Sequence, residues 1–157
     1  MDTSFDPGSG ANNVVRDIAI SPEGKILIVG DFTTYRDNTC DHLALLYPNG
    51  DPDLSFQAWA GADDVIRCCS FDQLGRIVVG GEFFSYQGAY RGHVARLNAN
   101  GSLDQNFTTD WYLDAAVDAV LPLDDVGGTK VVIGGAFSHC AGAERNGLAE
   151  LNYDGSF

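Results

Sequence analysis

The stretch LNANGSLDQNF, residues 97–107, ends an apolar strand-like run, turns at Asn100-Gly101, and restarts an extended segment that finishes on Phe107. Three readings compete for it: a ligand loop, a calcium loop, or the joint between repeated units. Asn-Gly after a β-type run suits a tight hairpin, because glycine accepts the positive φ that such turns impose. NANGSLD and NYDGSF share with calcium loops an alternation of oxygen-bearing residues before a glycine. The twelve-residue spacing and the closing glutamate of an EF-hand are absent. The stretch therefore reads as a joint, with Asp53 and Asp104 expected to cap nearby backbone amides. The sequons at Asn100 and Asn106 fall under the same turn chemistry.

Working outward, the joint recurs. Phe5, Phe56 and Phe107 lie 51 residues apart, as do Asp2, Asp53 and Asp104. The same register relates Val14 to Val65, Arg16 to Arg67, Gly24 to Gly75, Phe32 to Phe83, Ala44 to Ala95 and Leu46 to Leu97. LDDVGGTK inserts three residues in the third copy, and beyond it the offset is 54, so that Lys130, Gly135, Phe137, Ala149 and Leu151 fall into line. The repeats span approximately 2–52, 53–103 and 104–157 of a single segment, 1–157. Each carries four strand signals, in the second copy VIRCCSF, RIVVGG, HVARLN and SLDQNF, separated by turn residues. KILIVG, RIVVGG and KVVIGG are continuous and β-branched, as expected of strands buried on both faces. HLALLY and HVARLN alternate more, which suits strands nearer solvent. No segment keeps a 3.6-residue period, so helix is not expected. The fold class is all-β: three four-stranded antiparallel β-propeller blades of about 51 residues. Gly80-Gly81 and Gly134-Gly135, with Gly30 alone in the first copy, end the buried strand where crowding leaves no room for side chains.

SPEGKILIVGDFTTY, LGRIVVGGEFFSYQGAYRGHVARLNANGSLDQNF and KVVIGGAFSHCAGAERNGLAELNYDGSF resemble delta-60 repeats, a bacterial and phage family whose repeats are expected to build propellers. The resemblance covers nearly the whole chain and implies the propeller fold. It implies no activity and offers no catalytic residues to transfer.

Composition narrows the function classes. Nine Lys and Arg against 22 Asp and Glu give a net charge of −13 over 157 residues, which disfavours phosphate backbones and nucleic acid partners. No apolar run reaches membrane-span length, and MDTSFDPGSG has neither the basic start nor the apolar stretch of a signal peptide. Cys40, Cys68, Cys69 and Cys140 lack paired spacing and read as free thiols of a chain folded in a reducing cytoplasm. Neighbours on a strand, Cys68 and Cys69 should point to opposite faces. No metal site or cofactor is expected.

Candidate site residues follow from positions that break the symmetry. After the glycine the copies read Asp31, Glu82 and Ala136, and the next loops carry Tyr35, Tyr86, Tyr90 and Arg91, which could stack or hydrogen-bond at one rim. Trp59 and Trp111 offer a second aromatic patch. His42 and His93 recur with the fold while the third copy has Gly147, a structural pattern rather than a catalytic one. His139 and Cys140 diverge along a strand, and no nucleophile is assigned to them.

Three function classes stay open. One is a non-catalytic structural or adhesive module binding a protein or glycan, in a phage tail, virion or bacterial surface assembly. The others are an intracellular protein-interaction platform and a fragment of a glycan-active enzyme, for which Asp31 and Glu82 give few carboxylates. Three blades do not close a ring when propellers have 4 to 8. The chain ends are complementary in register, so the expected partner is a second copy, giving six blades, or further blades of a longer parent.

Overall fold

The computed structural model describes residues 4–57, 61–109, 113–125 and 127–157. The first unit runs through β1 (Val15–Ile20), β2 (Ile26–Gly30), a two-residue hairpin of β3 (Thr34–Tyr35) and β4 (Asn38–Thr39), and β5 (Leu43–Leu46). The second repeats it with β6 (Ile66–Phe71), β7 (Ile77–Gly81), β8 (Ser85–Tyr86), β9 (Ala89–Tyr90) and β10 (Val94–Leu97). The third has β11 (Val117–Asp125), β12 (Gly128–Gly135), β13 (His139–Cys140), β14 (Ala143–Glu144) and β15 (Leu148–Leu151). Each unit holds a three-stranded antiparallel sheet with its second strand central, in orders β1-β2-β5, β6-β7-β10 and β11-β12-β15, and its hairpin forms a separate two-stranded sheet. Among the described residues there is no helix, and so none long and apolar enough to cross a membrane.

The fourth strand of the first two blades is shorter than the sequence suggests. In the first two units it is reduced to one bridge, Leu46 to Pro52 and Leu97 to Leu103, with one amide beyond it, Asp53 N to Leu45 O at 2.8 Å and Asp104 N to Arg96 O at 2.9 Å. The chain then turns, because Asp53 and Asp104 accept backbone amides from Ser55 (3.0 Å) and Asn106 (2.9 Å) and so end the extended run. Gln57 N and Thr108 N go on to bond Asn100 O and Asp154 O in the turn of the following unit, both at 2.8 Å. The opening stretch is thus a joint between blades. Asn98 and Ser102 close its turn around Gly101, whose φ is 84°.

Apolar layers form between the blades. One contains Leu27, Val29, Leu43 and Leu45 of the first unit against Ile66, Cys69, Ile77, Val79 and Ala95 of the second. The next contains Cys68, Val78 and Val94 against Val117, Val131, Ile133 and Ala149 of the third. Cys68 and Cys69 do point to opposite faces. Because the second blade has a neighbour on each side, β7 is buried throughout. β5 and β10 are buried throughout as well, which corrects the expectation of strands nearer solvent: Leu43–Leu46, Val94, Ala95 and Leu97 all belong to the apolar layers. β12 and β15 instead alternate, since one face of the third blade has no neighbour in the chain.

The three-residue insertion lengthens β11 and β12 to 9 and 8 residues, against 6 and 5 for β6 and β7. The longer hairpin reaches back over the second blade. Arg76 donates to the Thr129 hydroxyl at 2.9 Å, and Gln73 N donates to Asp124 at 3.1 Å.

Candidate functional site

A β-bulge interrupts the first strand of every blade, with register shifts between Val15 and Asp17, Ile66 and Cys68, and Val117 and Ala119. The residues skipped are Arg16, Arg67 and Asp118, and a bulge re-aims its side chain. Glycine is required opposite each bulge. A Cβ on Gly30, Gly81 or Gly135 would come within 2.1 to 2.2 Å of the carbonyl oxygen of Val14, Val65 or Ala116. The crowding that the sequence hinted at is this close approach of the bulged backbone.

The re-aimed side chains build a charged ladder from blade to blade. Arg16 pairs with Asp31 through Nε and, at 2.9 Å, through Nη2. Arg67 donates to Glu82 at 2.6 Å and across the blade boundary to Asp118 at 2.6 Å. The hydrogen bond from Arg16 holds Asp31 below the usual carboxylate range, and those to Asp118 and Glu82 push the Arg67 guanidinium up. Both candidate acids are therefore occupied by arginines of their own blades. The recurrence of Arg16 and Arg67 was the sequence signal for this pairing; the bulge that aims them leaves no mark in composition.

The loop candidates separate by exposure. Tyr35 and Tyr86 are buried, and their hydroxyls donate to Gly50 O (2.9 Å) and Gly101 O (3.1 Å), fastening each hairpin to the outer turn of its blade. Arg91 is also buried, with Nη1 on Tyr90 O at 2.6 Å. These three are not displayed at a rim as the sequence suggested; Tyr90 is exposed. Trp59 and Trp111 lie outside the described residues. Asn12, Asp63 and Asp114 cap the hairpins in a 51-residue rhythm that sequence reading passed over, accepting amides of Thr33 and Thr34, Phe84 and Ser85, and Ser138 and His139.

That capping explains a cluster with the composition of a hydrolytic triad. Ser138 Oγ donates to Asp114 at 2.6 Å, and His139 meets both Ser138 and Asp114 through Nδ1, at 2.9 and 3.3 Å. A triad needs serine and aspartate on different ring nitrogens, so this is a hairpin cap and not a nucleophile. His42, His93 and Gly147 share φ values of 75°, 75° and 77°, so the turn recurs whichever residue occupies it. Burial also disfavours the thiolate form of the cysteines. Burial pushes Cys40, Cys68 and Cys140 up to about 12, and Cys69 up as well.

One blade departs from the others in its interior. Arg91 and Arg96 of the second blade correspond to Cys40 and Leu45 in the first. Arg96 bonds Asp104 at 2.8 Å and lies over the Phe107 ring at 4.6 Å. Where the first blade has the two smaller side chains, a cavity of 380 Å³ opens between Tyr35, Asn38, Cys40, Leu45, Asp53 and Phe56. Its buried lining combines Tyr35, Cys40, Leu45 and Phe56 with the Asp53 carboxylate, and its exposed lining residues include Asp37, Asn38 and Thr39.

A family described as a domain of unknown function (DUF5122) beta-propeller matches residues 22–56, 75–107 and 130–157, more than half of the chain. No curated protein and no solved structure matches it.

Proposed function

The chain belongs to the DUF5122 beta-propeller family, and from that premise we propose that it is a non-catalytic binding module of a structural or adhesive assembly, holding a protein or glycan ligand in the first-blade cavity. The cavity carries the reading. Its volume is in the range of ligand sites, it combines apolar side chains with a few polar groups, and Cys40 and Leu45, which line it, stand where the second blade has arginines. The non-catalytic part is supported by the ladder. A glycosidase needs one carboxyl as acid and one as base or nucleophile, whereas Asp31 and Glu82 each meet an arginine and sit on successive blades.

The test is to fill the cavity with the second blade's own residues. In the double variant Cys40→Arg/Leu45→Arg, the guanidinium introduced at position 45 would share Asp53 with Lys25, as Arg96 shares Asp104 with Arg76. A glycan array and a displayed peptide library, probed in parallel with wild type and variant at matched thermal stability, should show ligands retained by wild type and lost by the variant. Binding that survives the filling would remove the cavity from the binding role. Hydrolysis of a polysaccharide panel that disappears in Asp31→Asn or Glu82→Gln would replace the binding module with an enzyme.

A further inference from the structure

We propose that the open face of the third blade packs on the open face of the first blade of a second copy of this chain, so that two chains close a six-bladed ring. Equivalent positions show which surfaces are unfilled. On the leading face Leu43 and Val94 are fully buried by the blade that follows, while Leu148, in the same place on the third blade, is 65% exposed. On the trailing face Ile66 and Val117 are fully buried by the blade before, while Val15 on the first blade is 38% exposed. Ile18 and Ile20 extend that trailing face, and Leu121 and Leu123 extend the leading one, all exposed.

Space and charge both favour a copy of the same chain. A Cβ on Gly80 would strike Val117 of the following blade at 2.5 Å, whereas on Gly134 the nearest neighbour is Ala119 of its own sheet, at 3.7 Å. The third blade thus keeps the recess that Val117 fills one step earlier, and the residue of the first blade equivalent to Val117 is Val15. Across the boundary between second and third blades Arg67 meets Asp118. One more step of the same rotation sets Asp118 opposite Arg16 of the second copy, the same pair with its charges exchanged. The two apolar faces continue a contact the chain already makes at both inner boundaries, and the ion pair continues the one between its second and third blades; head-to-tail contacts of this kind form rings when the rotation closes.

Light scattering on the isolated chain, with Ile18→Glu and Leu148→Glu beside it, tests this. Both substitutions fall at positions more than half exposed in the chain, and circular dichroism confirms that each variant keeps its sheet. Wild type should give twice 16.8 kDa, and each variant 16.8 kDa. A wild-type monomer overturns the proposal and leaves the faces to a different partner. A growing polymer overturns the closed ring, and a dimer unaffected by both variants overturns the faces assigned to it.

Discussion

Gly81 shows how one missing atom holds a blade together: a Cβ there would meet Val65 O at 2.2 Å, and the bulge that aims Arg67 would have to open. Gly81→Ala should therefore destabilise by about 1–3 kcal/mol, the usual cost of overpacking, seen as a lower denaturation midpoint. An unchanged midpoint would mean that the bulge is not fixed. The cysteines make a second prediction at this scale. All four are free and buried, and burial holds their thiolates scarce near neutrality. Iodoacetamide at pH 8 should leave the native chain unlabelled and add four groups after denaturation without reductant; fewer than four would reveal a disulfide. The glycines and free thiols were legible in the sequence because each reflects a local rule. The burial of Tyr35, Tyr86 and Arg91 was not, since loop aromatics look alike on a string until their hydroxyls are seen on Gly50 and Gly101.

At the scale of the element, repeat and strand order were readable from the 51-residue spacing and the β-branched runs. The two-residue hairpins were not, because strands that short have no period to detect. The fourth strand was overestimated for a related reason. SLDQNF alternates like a strand, but Asp104 bends it by capping Asn106. Asp104 also accepts Arg96 in a buried pair. Burial pushes the Asp104 carboxyl up, and the Asn106 amide and Arg96 guanidinium outweigh that and hold it below its ordinary value. Asp53 behaves alike, with burial overcome by Lys25 and Ser55. A carboxyl lowered in the fold stabilises it above the unfolded value, and that contribution fades as pH falls through the folded one. Stability should accordingly drop once pH passes below about 4, and Asp104→Asn should lose stability at pH 7 while showing a shallower acid fall. Equal slopes for variant and wild type in thermal melts against pH would contradict the role given to this pair.

For the whole molecule, only the second blade has both faces covered, while the first and third each leave one apolar face open beyond the two inner boundaries. The sequence exposed this arithmetic through its symmetry. It could not say which side chains remain uncovered, because Leu43, Val94 and Leu148 look equally like core until neighbours are placed. Placement of Cys68 Sγ at 3.8 Å from Val117 O marks where adjacent blades touch, and the corresponding residues across the proposed boundary are Ala119 and Val15. These two belong to non-adjacent blades of one chain. Ring closure is therefore decided by the intact mass, without reductant, of a Val15→Cys/Ala119→Cys chain oxidised in dilute solution. Two chains in a closed ring predict a covalent dimer of about twice 16.8 kDa that returns to monomer on reduction. A product that stays monomeric, or a ladder of ever larger species, would contradict it.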